Sequence, residues 1–139
     1  MPPVFLDTGY ILALEISNDQ HHRAASVHWQ RVSQEPLNLV TTSLVLNEAV
    51  TFLNSRGYHS KAVSVGNALL ESPSVDLTHV DEALLLDGWK YFERHHDKRY
   101  SLTDCVSFIL MNISGIQVAY AFDRNFVQAG FTIEPQRSD

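Results

Sequence analysis

Four carboxylates in this chain sit where structured segments begin or end. Asp7 follows the apolar run Val4-Phe5-Leu6, Glu48 lies within LVLNEAV, Asp104 within SLTDCVSFILMN, and Asp123 follows IQVAYAF. Asp104 raises the sharpest question. From Val106 onward its segment is apolar on nearly every side, as in a helix buried at the centre of a domain, yet the first turn carries a carboxylate. Taken singly, each acid has an ordinary explanation. Asp7 suits the cap of a helix starting at Thr8. Glu48 lies at the edge of a polar stripe formed at helical spacing by Asn47, Thr51, Asn54 and Ser55, where a glutamate is normally solvated. Asp104 stands three residues after Ser101, the spacing of a capping box, and a helix dipole favours an acid there. Asp123, before Arg124-Asn125, suits a turn. Taken together, the four make a different case. Carboxylates crowded onto one side of a sheet repel and raise one another's pKa. A divalent cation removes that penalty, and hard oxygen ligands suit Mg²⁺ or Mn²⁺. Such a centre activates water and steadies in-line displacement at phosphorus.

The elements that must position these acids can be read from hydrophobic pattern and breakers. Residues 4–6 form a buried strand ending at Asp7. A helix from Thr8 carries Ile11, Leu12, Leu14 and Ile16. After the loop Ser17-Asn18-Asp19-Gln20, Asp19 suits the N-cap of a helix running through Val32. Residues 37–40 form the second strand. Thr42 or Ser43 caps a helix to Ser55, stopped by Gly57, and a further helix covers 60–71. Pro73 ends it, and 74–77 form a third strand. Residues 81–94 are helical and 95–100 form a polar loop, after which the Asp104 helix runs towards Gly115. Residues 116–122 form a fourth strand and 131–133 a fifth. Strands alternating with helices predict a three-layer α/β/α domain around a central, mostly parallel sheet of four to five strands. Crossovers in such a sheet are right-handed, and ligands bind beyond the carboxyl ends of the strands, where Asp7 and Asp123 fall.

At 139 residues the whole chain, 1–139, is expected to form one domain, long enough for a core without disulfides or structural zinc. Hydrophobic residues make up 45% of it, which argues against disorder. The single cysteine, Cys105, cannot form an internal disulfide and fits a reducing cytoplasm; beside Asp104 it reads as a small core residue. The run VFLDTGYILALEI lacks a basic leader and is broken by Asp7 and Glu15, so neither a signal peptide nor a membrane anchor is expected. A net charge of −6 excludes a simple basic nucleic-acid coat protein but not an enzyme with an acidic metal site.

Other polar clusters are weaker signals. WKYFERHHDKRY mixes Lys90, Arg94, Lys98 and Arg99 with Tyr91, Phe92 and Tyr100 and leads into the Asp104 segment. With Arg124, these basic residues are candidates for RNA contacts, set against the plainer reading of a solvated helix end with core rings. His21, His22 and His28 lack cysteine partners and catalytic zinc spacing, so they read as surface helix residues, as do His95 and His96. The apolar helices, LVLNEAVTFL among them, hold more hydrophobic surface than a small domain must bury, which suits a dimer or a docked partner helix, set against the plainer reading of core burial.

In their order and spacing, FLDTGYI, LVLNEAV, SLTDCVSF and AFDRNFVQAGF resemble PIN-domain proteins, especially VapC-type toxins and their stand-alone relatives. The resemblance covers nearly the whole chain. It implies a metal-dependent endoribonuclease of a type II toxin–antitoxin system, using Mg²⁺ or Mn²⁺. It further implies a cognate antitoxin that occupies the cleft, and a homodimer. Matched by motif, the family's catalytic and metal-holding acids fall on Asp7, Glu48, Asp104 and Asp123. The position two before the last acid is often Thr in the family and is Ala121 here; Thr103 and Asn125 are candidates to supply the missing support. Three rival readings stand beside this one. The first is a stand-alone PIN nuclease of RNA processing. The second is a haloacid-dehalogenase-like phosphatase, whose motif requires an Asp where this chain has Gly9. The third is a PIN-like binding module without catalysis.

Overall fold

The structure is a computed structural model that describes residues 2–136; the ends of the predicted domain span, 1 and 137–139, lie outside the described residues. Strand β1 (Val4–Leu6) leads into helices α1 (Thr8–Glu15) and α2 (His22–Val32). Strand β2 (Leu39–Thr42) leads into α3 (Ser43–Ser55) and α4 (His59–Glu71), and β3 (Val75–Thr78) into α5 (Glu82–Arg94) and α6 (Leu102–Ser114). Strand β4 (Val118–Tyr120), the short α7 (Asn125–Gln128) and β5 (Thr132–Glu134) complete the described order.

All five strands are parallel, in the order β3-β2-β1-β4-β5. Val4 pairs with Leu39 on one side of β1, and Leu6 with Tyr120 on the other. The chain therefore moves outward from β1 to β3, returns across the sheet, and moves outward again through β4 and β5. The loops leaving β1 and β4 diverge, which makes their carboxyl ends the switch point where parallel sheets hold ligands. Right-handed crossovers place α1 to α4 on one face and α5 to α7 on the other. Packing agrees: α1 rests on α2 and α3, α3 on α4, α5 on α6, and α6 on α7. The predicted three-layer architecture is the observed one.

Helix α6 lies in the core. Val106, Phe108 and Met111 are fully buried, and the Phe108 ring meets those of Tyr91, Tyr100, Phe126 and Phe131. Gly88 explains how α5 comes so near. A Cβ there would lie 2.5 Å from Val106 Cγ2 and 3.2 Å from Val106 Cα, so any side chain would push the two helices apart. The helix ends at Gly115, whose φ of 67° is the left-handed geometry that glycine adopts without strain.

Several element boundaries differ from expectation for identifiable reasons. β2 lies two residues later than 37–40, because Thr41 and Thr42 are strand residues. Thr41 buries its hydroxyl by donating to the Leu6 carbonyl at 2.8 Å, while Thr42 ends the strand and accepts from the Val45 amide. β4 is shorter than 116–122. Asp19 does not cap α2. Its carboxylate accepts from the His21 amide at 2.8 Å, closing a turn one step earlier, and the helix starts at His22. α7 falls within a stretch too short for a helical period to be visible.

Candidate active site

Asp7 directly follows β1, at the centre of the sheet. It occupies the cap position of α1 but makes no full capping hydrogen bond. Only 6% of it is exposed. Its carboxyl is pushed up to about 8, first by burial and then by the negative charge of Asp104, with Asp123 adding to the effect. The amides of Thr8 and Gly9 act in the opposite direction and do not offset this. The cap explanation therefore fails for Asp7: a stabilising cap lowers a carboxyl's pKa, and this one is raised.

For Asp104 the capping box is real. Ser101 Oγ accepts from the Asp104 amide at 2.9 Å, and Asp104 Oδ2 accepts from the Ser101 amide at 3.1 Å. A cap of this kind contributes about 1 kcal/mol and works at a solvated helix end. Asp104 is only 8% exposed, and burial raises its pKa despite the bonds from Ser101 and Asn125. Asp123 adds to the rise by charge repulsion. The cap positions the carboxylate but does not account for taking it out of water.

Asp123 is exposed, three residues beyond β4. Its Oδ1 accepts from the Asn125 amide at 2.9 Å, the turn expected of it. The Asn125 side chain does more. Its Nδ2 lies 3.2 Å from Asp104 Oδ2, 3.4 Å from Asp123 Oδ2 and 3.4 Å from the Arg99 carbonyl. One amide group thus holds two of the acids side by side.

Glu48 projects from α3, half-buried. Its Oε1 accepts from Thr8 Oγ1 at 2.9 Å, a bond that spans 40 positions of sequence and ties the glutamate to the residue after Asp7. The polar stripe is present: Asn47, Thr51 and Ser55 line a cavity of about 480 Å³ with Glu48 and Thr8. Thr8 is the site residue that the sequence did not single out. Its one visible signal was a hydroxyl next to Asp7. Thr103, a candidate support, is half-buried, and its carbonyl accepts from Ser107 Oγ. Ala121 is fully buried.

Asp7, Asp104 and Asp123 thus form one electrostatic group at the carboxyl edge of β1 and β4, with Glu48 joined through Thr8. Among the described residues, the ion pairs are His28–Glu134 and Lys98–Asp97, so no cationic side chain pairs with any of the four acids. No three His, Cys, Asp or Glu side chains among the described residues converge tightly enough to enclose an ion on their own. The donor set is still the right chemistry for Mg²⁺ or Mn²⁺: hard oxygens and a repulsion that a cation would relieve.

The basic candidates divide into two groups. Arg124 is next to Asp123, and Arg99 reaches the acids' surroundings through its carbonyl. Lys90, Arg94 and Lys98 are exposed along α5 and the turn after it. Arg94 lies over the Tyr91 ring and Lys98 pairs with Asp97 at 4.0 Å; none of the three contacts an acid of the group among the described residues. Tyr91 and Tyr100 pack around Phe108, while Phe92 is exposed and stacks on Trp89. Cys105 is fully buried and its thiol is raised to about 11, first by burial, so it is a packing residue and not a nucleophile. His28 corrects the surface reading of the histidines. It is buried, with Nδ1 2.7 Å from the Tyr10 hydroxyl and Nε2 3.4 Å from Glu134.

Comparison with known proteins places this geometry in context. Residues 4–132 match the PIN domain family. The chain is 38% identical over 128 residues to the 23S rRNA-specific endonuclease VapC20 of two Mycobacterium tuberculosis strains, covering 92% of this chain and 95% of the relative. It is similar to the crystal structure of that organism's VapC20, described as a sarcin–ricin loop cleaving toxin, with a TM-score of 0.84, 37% identity and coverage of 93% and 96% of the two chains. The crystal structure of FitAcB from Neisseria gonorrhoeae shares the fold at a TM-score of 0.61 with 16% identity, covering 94% of this chain and 95% of that one.

Proposed function

The chain belongs to the PIN-domain family, as its four motifs implied, and from that premise we propose that it is the RNA-cutting toxin of a VapC-like toxin–antitoxin pair. It is an enzyme that hydrolyses RNA. The described residues are read as one PIN unit. The observation that carries the finer reading is the crowding of Asp7, Asp104 and Asp123 at the sheet's switch point with no cationic side chain paired to them among the described residues.

Asp7, Asp104 and Asp123 would hold Mg²⁺ or Mn²⁺, directly or through water, with Glu48 completing the set. When bound, the metal supplies charge neutralisation, an activated water and stabilisation of an in-line displacement at phosphorus. The chain's own residues prepare the site. Ser101 and Asn125 fix the Asp104 carboxylate from two sides. Thr8 fixes Glu48. Asp7 would hold the ion as the carboxylate, since a ligand must be deprotonated. Arg124, next to Asp123, and Arg99 would neutralise RNA phosphates, with Lys90 and Arg94 of α5 and Lys98 after it as further candidates. No protein nucleophile is required, and position 9, where the phosphatase motif needs an acid, is glycine.

The identity to VapC20 supports 23S rRNA, at the sarcin–ricin loop, as the substrate. An antitoxin partner and a homodimer are supported by uncovered apolar surface. Leu85, Leu86, Trp89 and Phe92 are exposed on α5, and Leu46, Val50, Val63 and Leu70 line a groove of about 510 Å³ between α3 and α4. No helix among the described residues is long and apolar enough to cross a membrane, and a lone buried cysteine suits action in the cytoplasm.

The test is cleavage of 23S rRNA with Mn²⁺, with and without EDTA, by the wild type and by Asp104→Asn. The wild type should cut, and either chelation or the substitution should lower the rate by more than about a hundredfold, beyond the 10–100-fold typical of residues that merely support a metal ligand. Equal cutting in all arms would remove the proposed chemistry.

A further inference from the structure

A second cavity, of about 350 Å³, opens beside the acids without including any of them. Phe122 and Arg124, the two sequence neighbours of Asp123, both line it. His21 and Ala24 form the α2 side, and Ile133 and Pro135 the β5 side. Its volume is within the range of about 300–1,000 Å³ usual for small-ligand sites.

Two of its lining rings continue a stack that begins in the core. Phe122 stacks on the buried Tyr10 at 5.9 Å and 14°, and nearly parallel on His21 at 4.3 Å and 2°. The inner end is fixed, because the Tyr10 hydroxyl is bonded to His28 at 2.7 Å. The outer end is held by the backbone, since the His21 amide donates to Asp19 at 2.8 Å. Tyr10 is fully buried, whereas His21 and Phe122 are half-exposed and face the cavity. A stack that served only to seal the core would have no open end. A preorganised flat surface with a guanidinium beside it fits an aromatic ligand carrying a phosphate.

We propose that this cavity is a nucleobase subsite. It seats the base of a nucleotide adjoining the scissile phosphate against the His21–Phe122 ring pair, with that nucleotide's phosphate facing Arg124. This rests on the ribonuclease reading and deepens it. Because every base has a π-face, the subsite contributes affinity and register more than sequence choice.

The test reads binding and cutting separately. In EDTA, adenosine, uridine and their 5′-monophosphates are titrated into the wild type, His21→Ala, Arg124→Ala and Asp104→Asn, following the Phe122 ring signals by NMR. Saturable shifts are expected in the wild type and in Asp104→Asn. Affinity should fall roughly five- to 150-fold in His21→Ala, the range for loss of one base–ring stack. Arg124→Ala, which leaves the rings in place, should lose the preference for the monophosphate over the nucleoside. In the cutting assay His21→Ala should raise KM for RNA. Phe122 signals that stay still, or that move equally in His21→Ala, overturn the subsite. If the ring signals respond while chelation and Asp104→Asn leave cutting unchanged, the subsite stands and the nuclease chemistry falls.

Discussion

Two partly buried polar clusters each include a residue next to or within α1, and they are built on opposite principles. The first joins Tyr10, His28 and Glu134. A carboxylate only accepts, so His28 Nε2 donates to Glu134 and Nδ1 accepts from the Tyr10 hydroxyl, which gives every buried group a partner. Burial lowers the His28 pKa, and the Glu134 bond opposes that only in part. The second cluster gathers Asp7, Asp104 and Asp123, acids with no cationic partner among the described residues. The first cluster stabilises the fold. The second opposes stability, the arrangement that the proposed metal site would explain.

The clusters should answer pH in opposite directions. His28 has a folded pKa below its unfolded value, so its contribution is present above that value and is lost as pH falls. Asp7 has a folded pKa raised to about 8, so the folded state favours the proton and stability drops as pH rises towards that value, levelling off above it. The largest effect expected is therefore on Asp7→Asn. In metal-free protein it should raise stability at about pH 9 by up to roughly 5 kcal/mol while abolishing cutting. Denaturant unfolding across pH, paired with an RNA assay, checks both. A variant that is both destabilised and active would break the contrast. Next comes His28→Leu, which strands the buried Tyr10 hydroxyl and should cost about 1–3 kcal/mol in the same unfolding experiment, with Mn²⁺ affinity unchanged. A loss of metal binding there would show the clusters to be coupled.

Smaller effects sharpen the account of how the acids are held. Asn125→Ala removes the amide shared by Asp104 and Asp123 and should weaken Mn²⁺ binding about 10–100-fold; Thr8→Val, acting only through Glu48, should fall at the lower end of that range. Calorimetric titration of the two variants ranks them, and a larger loss in Thr8→Val would reverse the assigned importance of Glu48.

What could be read in the sequence follows the range of the interactions. The capping box of Ser101 and Asp104 and the cap at Thr42 lie within four residues and were visible as spacing. The alternation of strands and helices set the architecture, and the four motifs picked out the acids. The burial of His28 was not visible, because its partners Tyr10 and Glu134 are 18 and 106 positions away. Thr8 was missed because its partner Glu48 lies 40 positions on, in another helix. The strand's extension through Thr41 was not visible because its hydroxyl finds the Leu6 carbonyl, 35 positions away, only once β1 and β2 are paired.

The central claim is that separated carboxylates make one cation site whose loading expels a proton from Asp7. Calorimetric titration with Mn²⁺ at about pH 6.5 and about pH 8.5, on wild type and Asp104→Asn, tests it most directly. Wild-type affinity should rise with pH by up to about tenfold per unit below the Asp7 pKa, and Asp104→Asn should bind at least about tenfold more weakly. Affinity that ignores both pH and the substitution, or no binding by the wild type, would contradict the account.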